Sequence, residues 1–85
     1  MNIAAIQTFL AIVETGSLAR AASKLNVTQS TVTTRLKTLE ATLGQKLINR
    51  SKTGATTTNA GLRLQRYAEA IAGSWRQARL EVAAP

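Results

Sequence analysis

The sequence predicts a mainly α fold: three short helices, a two-stranded hairpin and one long final helix. Three observations carry this prediction. Apolar residues recur at helical spacing in three successive segments before Gly44. The pattern then switches to β-branched residues around a glycine turn, and after Thr58 an uninterrupted helical stripe runs to about Val82. A chain of 85 residues is one small unit with a modest core, because domains this short bury only about 60% of the surface their unfolded form exposes.

In helix one, Ile3, Ile6, Phe9, Leu10 and Val13 form the apolar face, and "ETG" ends the pattern at a glycine, a common helix C-terminus. Ser17 stands where an N-cap belongs, ahead of "LARAASKL". There Leu18, Ala21, Ala22 and Leu25 face inward while Arg20 and Lys24 stay outside. "NV" turns the chain, Thr28 caps helix three, and Val32, Leu36, Leu39 and Leu43 carry its stripe to a stop at Gly44. "KLINR", the turn "SKTG" and "ATTT" then read as a small basic hairpin. Thr58 caps the last helix, whose length of roughly 36 Å exceeds what so small a body needs. Residues 1–58 therefore form the compact unit and residues 59–85 a projecting helix, with "EVAAP" read as the exit from that helix.

Two short helices joined by a tight turn and followed by a basic hairpin describe a winged helix-turn-helix. The common use of this fold is to place the second helix of the motif in the DNA major groove.

Composition narrows the function. Cysteine, histidine and aspartate are absent, and the only carboxylate side chains are the scattered Glu14, Glu40, Glu69 and Glu81. No acid/base pair, thiolate or metal cluster assembles from these, so neither catalysis nor a cofactor is expected. Eleven Lys and Arg leave a net charge of +7, which favours a polyanion: nucleic acid first, an anionic membrane surface second. The run "IAAIQTFLAIV" lacks preceding basic residues and a cleavage site, and it is too short to span a bilayer. With no cysteine to oxidise, the reading is a cytoplasmic module without a membrane partner.

Specific stretches resemble a known family. "FLAIVETGSLARAASKLNVTQSTVTTRLKTLEATLGQKLINR" followed by "TTNAG" is similar to the N-terminal DNA-binding region of LysR-type transcriptional regulators, without gaps from about residue 3 to residue 80. The resemblance implies a bacterial repressor or activator that binds imperfect inverted repeats as a dimer. It also implies a C-terminal domain, outside this chain, that senses a small-molecule effector. By position, Gln29, Ser30, Thr33 and Thr34 match the family's base-reading or groove-facing sites, and Arg50 with the wing tip matches its backbone or minor-groove contacts. The chain departs from the family in carrying Ser30 where proline is usual, Thr34 where arginine is frequent and Thr53 where many members have a wing arginine. Family base preferences therefore do not transfer at these positions.

Residues 27–44 hold six threonines, an unusual load for a helix because β-branched residues are poor helix formers. At about 100° per residue, Gln29, Ser30, Thr33, Thr34 and Lys37 fall in a sector away from the leucine stripe. A threonine methyl packs on a thymine methyl while its hydroxyl meets a base edge or phosphate, and Gln29 is suited to bidentate bonding with adenine. Gln29, Ser30, Thr33 and Thr34 are thus the expected base readers, against the plainer reading that the threonines only solvate an exposed face. Ser17, Thr28, Arg35, Lys37, Arg50 and Lys52 are the expected phosphate and wing contacts. Arg35 lies outside the Gln29 sector, and a pair with Glu40 is its other expected role.

Along the last helix, Leu64, Ala68, Ile71, Trp75, Ala78 and Val82 are spaced by four and three residues alternately, an a/d seam. They are the expected homodimer contacts; the alternative is packing on the chain's own body, foremost for Leu64 and Ala68. The resemblance makes the pairing antiparallel and leaves higher oligomers to a longer protein. Arg63, Arg66, Arg76 and Arg79 lie off the seam and keep the helix soluble. The expected function is sequence-specific binding of double-stranded DNA in transcription regulation. The alternatives are a winged-helix module for nonspecific DNA coating or for protein contact.

Overall fold

A computed structural model describes residues 2–85. The order of elements is α1 (Ile3–Thr15), α2 (Leu18–Leu25), α3 (Gln29–Leu43), β1 (Ile48–Ser51), β2 (Gly54–Thr57) and α4 (Asn59–Ala83). This is the winged helix-turn-helix expected from the sequence. The three anticipated caps form: Ser17 Oγ accepts from Arg20 N, Thr28 Oγ1 from Thr31 N and Thr58 Oγ1 from Gly61 N, at 3.2, 3.2 and 3.0 Å. A fourth, Asn2 Oδ1 accepting from Ala5 N at 2.9 Å, starts α1.

The core gathers around α1, whose Ile6, Phe9 and Ile12 are fully buried. Val32 and Leu39 of α3, Ala21 of α2, Leu47 and Ile48 at the wing base and Ala68 of α4 complete it. Fully burying a side chain of the size of Phe9 or Ile12 contributes about 1.5–3 kcal/mol. Thr8 is the one buried polar residue among those described, and its hydroxyl donates to Ala4 O at 2.7 Å. On the surface, Lys24 of α2 pairs with Glu14 of α1.

Three sequence expectations change. Leu43 is 43% exposed, because the last turn of α3 carries no buried residue and the inward stripe stops at Leu39. Arg35 does not pair with Glu40. Instead, Glu40 Oε2 accepts from Leu47 N at 2.8 Å and Ile48 N at 3.4 Å, while Arg35 Nη1 reaches back toward Thr8 Oγ1 at 3.5 Å. Ala68, assigned to a dimer seam, is wholly buried in the chain's own core, and Leu64 and Ile71 pack beside it.

The wing is an antiparallel pair in the register Ile48 with Thr57, Asn49 with Thr56, Arg50 with Ala55 and Ser51 with Gly54. Lys52 and Thr53 form its tip. Both outer edges of this ribbon are occupied. On β2, Ala55 N donates to Gly16 O at 2.8 Å, which ties the wing to the turn between α1 and α2. On the other side, Glu40 takes the amide of Ile48, the first residue of β1, and that of Leu47 just before it. At the base, Thr58 N donates to Leu47 O at 3.0 Å and Thr58 Oγ1 to Lys46 O at 2.6 Å, so α4 leaves from the same carbonyls that close the wing.

Two glycines permit these approaches. Gly54 has φ +139°, and a Cβ there would lie 2.6 Å from Gly16 O. A Cβ on Gly61 would lie 2.3 Å from Leu47 O. Gly54→Ala is therefore expected to destabilise the fold by ~1–3 kcal/mol through strain at a backbone conformation that only glycine adopts readily. Urea denaturation measures this, and amide exchange should show Ala55 N losing its protection.

Candidate nucleic-acid interface

The start of α3 stands clear of the body. Gln29, Ser30, Thr34 and Lys37 are exposed and Thr33 is half-buried beside them, while Val32, Leu36 and Leu39 of the same helix point into the core. The two sectors separate as the ~100° periodicity requires. Their separation leaves the polar side of α3 available to a ligand without any rearrangement of packing.

The threonines divide into two groups. Thr28 caps the helix, and its hydroxyl also lies 2.9 Å from that of Thr31 and 3.1 Å from Ser30 Oγ. Thr42 donates back to Thr38 O at 2.9 Å. These hydroxyls are spent on local bonds, the reason threonine is favoured at caps and tolerated when back-bonded. The hydroxyls of Thr33, Thr34 and Thr38 make no hydrogen bond among the described residues, and those of Thr33 and Thr34 sit on the polar side of the helix beside Gln29.

An open depression runs between the start of α2, the start of α3 and the wing, lined by Ser17, Ala19, Gln29, Arg50 and Lys52 among others. Four residues expected to contact DNA, drawn from three separate stretches of the sequence, thus share one concavity. Two helix N-termini open toward it, those of α2 at Ser17 and α3 at Gln29, and helix N-termini favour anionic groups. Arg50 and Lys52 add positive charge on its far wall; both are exposed. Arg35 stands apart from this group. It is half-buried against α1, on the side of α3 away from Gln29.

A second surface lies along α4. Trp75 is 44% exposed and Val82 is 85% exposed. Ile3, Ala70, Ile71, Ser74, Trp75 and Ala78 line a shallow, mainly apolar depression. Ile3, Ala70 and Ser74 are not among the expected seam residues. Ala70 and Ser74 are four residues apart on the flank of the seam, a signal that helical spacing contains, whereas the contribution of Ile3 depends on how α1 packs on α4. Of the six expected seam residues, Trp75, Ala78 and Val82 are free; Ala68 is not, and Leu64 and Ile71 are partly used internally. No helix among the described residues is long and apolar enough to cross a membrane.

These features define a winged helix-turn-helix protein with a polar, basic face. Residues 3–62 match the family described as bacterial regulatory helix-turn-helix protein, lysR family, and the chain belongs to that family. Among curated relatives, the HTH-type transcriptional regulator HdfR of Salmonella newport (strain SL254) is 40% identical over 83 residues, covering 98% of this chain and 30% of the relative. The chain thus spans about a third of the length of the curated relatives it matches.

Solved structures agree in fold. Oxidised OxyR of Corynebacterium glutamicum superposes with a TM-score of 0.92 at 30% identity, over 95% of this chain and 25% of that one. The CbnR DNA-binding domain in its DNA complex gives 0.84 at 33% identity, covering 99% of this chain and 100% of the other. The BenM DNA-binding domain bound to catB site 1 DNA gives 0.90 at 28%, covering 96% and 92%.

The cap at Thr28 holds the start of α3 and so the presentation of Gln29. Thr28→Ala is expected to cost ~1 kcal/mol of stability and Thr28→Asn only a few tenths, since asparagine also caps; paired denaturation curves check this.

Proposed function

We propose that this chain is the DNA-binding part of a transcription regulator, and that it reads double-stranded DNA by seating α3 in the major groove. The observation that carries the proposal is the polar face of α3: Gln29, Ser30, Thr33, Thr34 and Lys37 together on one side, flanked by Arg50 and Lys52 across a common depression. That depression and a net charge of +7 suit a backbone of phosphates. The DNA complexes of CbnR and BenM, whose DNA-binding domains share this fold, support the same use of the surface here.

In this reading Gln29 bonds an adenine edge, and the unengaged hydroxyls of Thr33 and Thr34 meet base edges or ordered water while their methyls pack on thymine. Ser30 contributes a small donor and acceptor where the helix must come close. Lys37, Arg50 and Lys52 neutralise phosphates, and Ser17 and Thr28 hold the helix N-termini against the backbone. Arg35 takes a lesser part, its guanidinium being drawn toward α1.

Residues 1–58 act as the reading unit and residues 59–85 as the pairing helix. Two copies join antiparallel through Trp75, Ala78 and Val82, with Ile71 and Ile3 at the margin, in place of the full seam. Tryptophan is favoured as an interface anchor. A homodimer presents two copies of α3 to an inverted repeat, with half-sites about 34–36 Å apart or at a multiple of that spacing. Regulation by a small molecule is assigned in this reading to a domain outside residues 1–85. The site of action is the nucleoid, in the cytoplasm.

Selection of bound duplexes from a random pool is the direct test. A palindromic consensus is the expected result, whereas recovery of unselected sequence would indicate nonspecific coating and recovery of nothing would point to protein contact. Gln29→Ala should lose ~1–3 kcal/mol of discrimination at one base pair of each half-site. Lys37→Ala should weaken all duplexes alike and make the salt slope shallower by about 0.9 for each phosphate the lysine neutralises. Quantitative binding to matched and mismatched duplexes over a salt series separates the two. Trp75→Glu is expected to leave the fold intact and to convert the dimer to monomer in sedimentation equilibrium.

A further inference from the structure

We infer that Glu40 is a positioning residue for DNA binding: its carboxylate fixes the wing to α3, so that the groove-reading helix and the wing present their contacts as one rigid unit. The inference rests on the proposed reading of DNA by α3 and the wing.

Glu40 is half-buried on α3, about three turns beyond Gln29 at 3.6 residues per turn. Its Oε2 receives two backbone amides, Leu47 N at 2.8 Å and Ile48 N at 3.4 Å. No cation pairs with it; the only ion pair among the described residues is Lys24 with Glu14. A carboxylate facing amides at the first residue of a strand acts as a clasp. The register of the ribbon accounts for the Ile48 amide: Ser51 and Gly54 flank the two-residue tip, so alternation turns it outward from the ribbon, while the Leu47 amide lies just ahead of the strand. Outward amides at a ribbon edge are free to take another strand or a side chain. The opposite edge is held by Gly16 O through Ala55 N. Among the described residues, Glu40 thus makes the sole side-chain hydrogen bonds that join α3 to the wing.

Two properties of the clasp can be separated by substitution. Glu40→Asp keeps the charge and shortens the reach by one methylene, taking the carboxylate away from Leu47 N. Glu40→Gln keeps the reach and removes the charge, which raises the net charge from +7 to +8 because one of the four Glu is neutralised. If Glu40 acted only through the overall field, Asp would change nothing and Gln would tighten DNA binding. Under the clasp, Asp lets the wing drift and Arg50 and Lys52 no longer reach their phosphates.

The experiment measures affinity for a selected duplex across a salt series, for the native chain, Glu40→Asp, Glu40→Gln and an Arg50→Ala/Lys52→Ala variant, alone and combined with Asp. Glu40→Asp is expected to bind about tenfold more weakly, with a salt slope shallower by about 0.9 for each phosphate released. Its effect should not add to that of the wing variant. Glu40→Gln is expected to stay within about twofold of native, because its amide oxygen still accepts from Leu47 N. Amide exchange in the absence of DNA should find Leu47 and Ile48 protected in native and Gln chains and unprotected in Asp. A native slope in Glu40→Asp, full additivity with the wing variant, or a Gln chain as weak as Asp overturns the inference. A native chain that binds no duplex overturns the DNA reading instead, and the exchange result then decides alone whether the clasp exists.

Discussion

Every other helix of this protein rests on α1. Its buried residues Ile6, Phe9 and Ile12 are the floor on which α2, α3 and α4 are laid and against which β2 leans. Because the chain is short, this single apolar face has to serve all its neighbours, and its loss cannot be compensated by a second core. The consequence for the polar surface of α3 is direct. The apolar stripe of α3 ends at Leu39 and is what packs on α1, and the side opposite that stripe is polar. The exposed face of Gln29, Ser30 and Thr34 is the complement of a packing requirement as much as a design for binding.

The wing solves a different problem. A two-stranded ribbon is barely stable alone, and this one is held along both edges and at its base by bonds from three separate parts of the chain: Gly16, Glu40 and Thr58. Two of these holds demand close backbone approach, which is why Gly54 and Gly61 stand where they do. The depression lined by Ser17, Gln29, Arg50 and Lys52 owes its shape to this clamping, since its walls belong to elements joined by no continuous secondary structure.

Much of this was legible in the sequence, for reasons that differ by element. Helix starts were readable because Ser17, Thr28 and Thr58 are cap residues placed directly before apolar periodicity. The hairpin was readable from its change of period and its glycine turn. The polar face of α3 followed from angle alone. What escaped was whatever depends on one element meeting another. Glu40 stands five residues beyond Arg35 and so on a different side of α3, and its carboxylate meets two amides at the wing, a demand that no local pattern reveals. Ala68 fits an a/d seam as well as any alanine, packing on the chain's own body was its stated alternative, and the choice between the two is made only by how α4 crosses α1. Leu43 belongs to the stripe by spacing and is uncovered because the body ends one turn earlier. Heptad arithmetic identifies a face of a helix without identifying who occupies it.

The course of α4 has a mechanical outcome. From Asn59 to Ala72 it is cemented to the body, and beyond Trp75 every side chain is exposed. The free segment to Ala83 is a stiff arm of roughly 12 Å at 1.5 Å per residue. Its root shares the Lys46 and Leu47 carbonyls with the ribbon. A sideways push on that arm is therefore borne first by the packed half of the helix, which acts as its socket, and only then by the two hydrogen bonds of Thr58 to Lys46 and Leu47, just ahead of β1.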